Sequence, residues 1–114
     1  MTELQHLDLD ALSELKDVME DEFQSLIETF IVDAERKLAA FRVAIDSGNA
    51  DEVGKVSHSF KGSCSNIGAP YLSSLCKQTE DKGRENDLSG VESLYSGIES
   101  EYLIVKELLI EQIN

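Results

Sequence analysis

Tryptophan is absent from this chain of 114 residues, and proline occurs once, at Pro70. With one proline and few runs of β-branched or aromatic residues, little interrupts or competes with helix formation. No apolar stretch reaches the roughly 18 residues that would cross a bilayer. The opening Met1-Thr2-Glu3-Leu4 has neither a basic region nor an apolar one, so no signal peptide is expected. There are only two cysteines, both at apolar helical positions, which predicts free thiols in a reducing compartment. A cytoplasmic protein is the expectation. Basic residues are also scarce: ten against twenty-three acids, for a formal charge of −13. That charge disfavours nucleic acid or an anionic membrane surface as the main partner, because both would be repelled at long range.

The acids themselves are missing from one stretch. From Val53 to Thr79, a run of 27 residues, there is no Asp or Glu, although an even spread would place about five there. The same window carries Lys55, Lys61 and Lys77. Two helices with buried faces could produce the gap. The sharper reading is that acid is kept away from a site that must hold an anion.

What is present is helical periodicity. A short first helix is expected from Asp8 or Asp10 to Met19, with Leu9, Leu12 and Leu15 on its buried side. The second runs from Asp21 to Asp46 on the stripe Phe23, Leu26, Ile27, Phe30, Ala34, Leu38, Phe41 and Ile45. The third runs from Asp51 to Ile67, stopped by Gly68 in a left-handed conformation. The fourth opens at Ala69-Pro70, carries Leu72, Leu75, Cys76 and Thr79, and should fray near Gly83. The fifth runs from Leu88 or Ser89 to Ile113. Four long amphipathic helices with short connections predict an all-α antiparallel four-helix bundle with a short additional N-terminal helix. No linker or repeat divides the chain, so residues 1–114 read as a single domain, with monomer as the default state.

One histidine falls outside this packing logic. Val53, Val56, Phe60, Cys64 and Ile67 form the buried stripe of the third helix. At about 100° per residue, His58 points roughly 160° away from Phe60. Gly54, Lys55, Lys61, Gly62 and Ser65 share its face. Gly54 and Gly62 lie one turn either side of His58, and each costs the helix about 0.5–1 kcal/mol relative to alanine. Missing side chains there would let something bulky approach the imidazole. Lys61, three residues on, can reach an anion held on the ring.

A lone exposed histidine is usually just a surface residue; the glycines and Lys61 argue for more. A nucleophilic nitrogen beside a cation and open space suits reversible phosphorylation. A metal site is not expected, because no acid lies within one turn of His58 on its helix and the only other histidine is His6. Cys64 lies on the apolar stripe, away from the imidazole, so it and Cys76 read as core thiols. Gln78 and Glu80, on the fourth helix, are candidates to hydrogen-bond the imidazole and set its tautomer. Tyr71 and Tyr95 carry no signal beyond packing.

The run His58-Ser59-Phe60-Lys61-Gly62-Ser63-Cys64-Ser65-Asn66-Ile67-Gly68-Ala69 resembles the histidine-containing phosphotransfer (HPt) family. The family pattern is His, any residue, an apolar residue, Lys, Gly, small residues, Asn, an apolar residue, Gly and Ala. The Leu72…Leu75-Cys76…Glu80 segment resembles the family's next helix. Looser likenesses lie at Leu7-Asp8 or Leu9-Asp10 and at Phe30…Asp33…Leu38, so the resemblance spans nearly the whole chain. The length is similar to that of stand-alone bacterial members of the HptB type. Ser57, Phe60 and Cys64 depart from the commoner alanine, leucine and small residue, and none of these removes the histidine, lysine or glycine.

The resemblance implies a phosphorelay carrier. A receiver domain, often that of a hybrid sensor histidine kinase, would pass a phosphoryl group from its aspartate to His58. His58 would pass it on to a response-regulator aspartate. Lys61 would offset phosphoryl charge, and Gly62 would leave room for the receiver. Gly54, Lys55, Ser65, Gln78 and Glu80 are the further candidate partner-contacting residues. The chain has no nucleotide loop, so no ATP site and no cofactor of its own are expected, and Mg²⁺ would sit on the receiver. It reads as a phosphocarrier rather than a self-sufficient enzyme. The competing reading is a non-catalytic helical module that binds and inhibits a kinase or receiver domain.

Overall fold

The computed structural model describes residues 5–114, all of whose regular elements are helices. They are α1 (Leu9–Met19), α2 (Glu22–Asp46), α3 (Ala50–Ile67), α4 (Pro70–Arg84) and α5 (Val91–Ile113). The ends follow from local chemistry. Asp8 caps α1 by accepting a hydrogen bond from the Ala11 amide at 3.1 Å. Asn49 does the same for α3 through the Glu52 amide at 3.1 Å. Gly68 ends α3 at φ +80°, the left-handed conformation that glycine adopts without penalty. Pro70 then opens α4 in its first turn, where its missing amide hydrogen is not needed.

α3 packs closely on α4 and also against α2, α5 packs against α4 and α2, and α1 lies on α2. One continuous core fills the space between them. Phe41, Phe60, Ile27, Leu72, Ile98 and Leu109 are fully enclosed. Burying each such side chain contributes about 1.5–3 kcal/mol. Phe60 lies edge-on to Tyr102 of α5, with ring centroids 6.5 Å apart. That anchor fixes the rotation of α3 and so decides which of its residues face out.

The expected stripes hold, with one correction. Leu9 is exposed, because the N-terminal segment ahead of it turns inward and buries Leu7 instead. α4 ends at Arg84, one residue past Gly83, close to where the sequence placed its end. Gly83 itself lies at the crossing with α3. A Cβ on Gly83 would stand 2.6 Å from the Gly54 amide nitrogen and 2.8 Å from the Ala50 carbonyl oxygen. Gly83 is thus the point where two helix backbones meet. Among the described residues, no helix is long and apolar enough to cross a membrane.

Candidate functional site

The α3–α4 crossing determines what lies beside His58. Close backbone approach at Gly54 and Gly83 brings one face of α4 under the outer face of α3. Glu80, one turn before the crossing contact at Gly83, is 3 % exposed, yet its carboxylate meets three donors. His58 Nδ1 stands 2.8 Å from Glu80 Oε2. Lys61 Nζ donates to Oε1 at 2.7 Å. An Arg84 guanidinium nitrogen reaches Oε2 at 2.6 Å. Burial alone would raise the Glu80 carboxyl. The hydrogen bonds from Lys61 and His58, with the charges of Lys61 and Arg84, overcome that and hold it down to about 2. Glu80 is therefore a carboxylate at neutral pH and can only accept.

An accepting Glu80 fixes the imidazole. Nδ1 must carry the proton and donate it to Oε2, which leaves Nε2 as the unprotonated, nucleophilic nitrogen of the neutral ring. The His58 side chain is 61 % exposed. Beside it lies a concavity of about 290 Å³ lined by Asp51, Gly54, Lys55, His58, Gly83 and Arg84. Lys55 and Arg84 bring positive charge to its edges, although Lys55 also pairs with Asp51 at 3.0 Å.

Several of the residues expected at the site meet here. His58, Lys61 and Glu80 form one hydrogen-bonded group. Gly62 is open, with no atom within 4 Å of where a Cβ would stand. Lys55 is exposed beside the concavity. Ser65 is exposed and shares a hydrogen bond of 2.8 Å with Ser73 of α4. Gly54 departs from expectation: it is buried under α4, so its missing side chain serves the helix crossing and floors the concavity. Gln78 is exposed and makes no hydrogen bond to His58; two residues along α4 turn it about 160° from Glu80. The acid-free stretch does not produce an acid-free site, since Glu80, one residue beyond its end, reaches back to the imidazole.

Arg84, the last residue of α4, was missed by sequence reasoning. The available signal was its spacing, four residues after Glu80 on the same helix. Cys64 and Cys76 are both fully buried and free. Burial, then a hydrogen bond to Cys76, pushes the Cys64 thiol up, which leaves it inert. Tyr95 donates its hydroxyl to the Leu38 carbonyl, and Tyr71 is half-buried against the core, so both are packing residues. Among the described residues, no group of three or more His, Cys, Asp or Glu is placed to hold a metal ion.

A model of the Hpt domain family matches residues 25–112 of the chain. The chain belongs to the Hpt domain family. Among solved structures, the Hpt chain is similar to histidine-containing phosphotransfer protein B (HptB) from Pseudomonas aeruginosa PAO1. The two share 36 % sequence identity over 96 % of each chain, with a TM-score of 0.92. No curated protein gives a significant match. Family and likeness together assign this Hpt chain a histidine phosphotransfer role in a phosphorelay.

Proposed function

We propose that His58 is the phosphorylated residue, accepting a phosphoryl group at Nε2 from a receiver-domain aspartate and passing it to the aspartate of a response regulator. The observation that carries this reading is the buried, ionised Glu80 carboxylate, which accepts from His58 Nδ1 while it gathers Lys61 and Arg84 beside the open face at Gly62. It directs the free lone pair of an exposed ring to Nε2, where an in-line attack on phosphorus needs it. The new Nε2–P bond forms as the acyl phosphate O–P bond breaks, and the aspartate leaves as carboxylate. The imidazole gains positive character in that step, which Glu80 stabilises.

Lys61 and Arg84, already gathered on Glu80, lie within one turn of the reacting ring or directly across the helix interface from it. Either can turn toward phosphoryl oxygens as charge arrives. Gly62 leaves the approach clear for a folded domain. The receiver contributes the Mg²⁺ and its own charge-stabilising groups, and this chain brings the positioned nucleophile. The closed ring of neighbours α2, α3, α4 and α5, joined by connections of two to six residues, supports an antiparallel four-helix bundle acting as one module.

The test is transfer from a phosphorylated receiver to the purified chain and to His58→Gln. The reading expects an acid-labile, alkali-stable label on the first and none on the second, with helix content equal in both. Label retained by a folded His58→Gln variant would overturn it. Inhibition of the receiver by both proteins alike, without label on either, would establish the binding module instead.

A further inference from the structure

The Glu80 geometry has a consequence for the loaded state. When Nε2 carries phosphorus, the fate of the group depends on the other ring nitrogen. With a proton on Nδ1, breaking the Nε2–P bond expels a neutral imidazole. Without it, the bond must expel an imidazolate, a far poorer leaving group. A phosphorylated imidazole free in water exchanges that proton with solvent. Here Nδ1 faces a carboxylate at 2.8 Å that is 3 % exposed. The charged groups around the ring are Glu80 and Arg84 from α4 and Lys61, Lys55 and Asp51 from its own helix.

Resting on His58 as the acceptor, we infer that Glu80 is a positioning residue for the second half-reaction: it keeps Nδ1 protonated while Nε2 carries the phosphoryl group, so the loaded ring stays ready to release it. The cluster balances in charge. Phosphoryl near −2 and Glu80 at −1 face Lys61, Arg84 and an imidazolium at +1 each. In the release step an acceptor carboxylate oxygen attacks phosphorus, the Nε2–P bond breaks, its electron pair returns to Nε2, and the Nδ1 proton stays on the Glu80 hydrogen bond. No proton has to be found from solvent, so release should be insensitive to pH on the His58 side. Glutamine at position 80 would keep a hydrogen-bonding side chain of the same shape but lose the negative charge that holds the proton.

The experiment loads wild type and Glu80→Gln at His58 with phosphoramidate, then follows transfer to a receiver from pH 6.5 to 8.5. The ratio of wild-type to variant rate cancels the receiver's own titration. A ratio that rises about tenfold or more across that range is expected, because a single lost proton costs up to tenfold per pH unit. A constant ratio, whatever its size, would show that Glu80 only shapes the site and would overturn the inference. In wild-type phosphoprotein alone, ¹⁵N NMR should find Nδ1 protonated at pH 8.5. A deprotonated Nδ1 there would overturn the inference even if the variant fails to fold. Failure of wild type to pass any phosphoryl group to or from receivers would instead overturn the function on which it rests.

Discussion

The molecule contains two imidazole–glutamate pairs of nearly the same geometry. His58 Nδ1 lies 2.8 Å from Glu80, and His6 Nδ1 lies 2.7 Å from Glu101, and each glutamate is 3 % exposed. Their surroundings differ. Glu80 also holds Lys61 and Arg84, and the ring beside it faces open space at Gly62. Among the described residues, Glu101 pairs with no lysine or arginine. His6 belongs to a segment tied down on both sides: the Gln5 carbonyl accepts from the Tyr71 amide at 3.2 Å, the Asp8 amide donates to the Gly68 carbonyl at 2.7 Å, and Leu7 between them is buried. That pair fastens the N-terminal segment to α5 and gives a buried carboxylate its hydrogen bond. If His58 is the acceptor, as proposed, then a carboxylate-oriented imidazole is not in itself a phosphoryl site, and the two cations and the open approach are what set it apart.

The comparison breaks most sharply at the histidines themselves. His58→Gln should abolish phosphoryl acceptance, while His6→Gln should retain it at the wild-type rate in the same receiver assay. Next comes the open face. Gly62→Gln should slow transfer about tenfold or more by holding the receiver off its line of attack, while circular dichroism shows helix content unchanged or raised. The helix crossing follows. Gly83→Ala should cost about 1–3 kcal/mol in urea unfolding, since its Cβ would meet the α3 backbone, and it should impair transfer by pushing Glu80 away from His58.

The structural pair should show the reverse pattern. His6→Ala leaves Glu101 without its partner and should lower stability by about 1–2 kcal/mol with transfer intact. The smallest effect at neutral pH belongs to Glu80 as an acid. Its folded carboxyl is held near 2, so between the ordinary carboxylate range and pH 2 the unfolded chain binds the extra proton. Stability that is fully present above about pH 4.5 is thus lost as pH falls through that window. Glu80→Gln should flatten this part of the acid unfolding curve.

Much of this arrangement was legible in the sequence. The stripes of α2 and α3, the Gly68 stop and the outward direction of His58 follow from helical period and a glycine stop signal, because burial enforces that period. Glu80 was legible only as one of two choices. Period shows that Gln78 and Glu80 face different ways, but which of them meets α3 depends on the crossing angle and rotation of two helices. Gly54 misled for the same reason. A glycine that makes room for a ligand and one that makes room for a neighbouring backbone look identical in one dimension. The His6–Glu101 pair, 95 positions apart, left no local signal at all.

The central claim is that the surroundings, not the imidazole–carboxylate pair, select the phosphoryl acceptor. Site-resolved mass spectrometry under alkaline conditions, after transfer from a phosphorylated receiver to the wild-type chain, tests it directly. The account predicts phosphohistidine at His58 and an unmodified His6. Phosphoryl groups shared between the two histidines, or found on His6 alone, would contradict it.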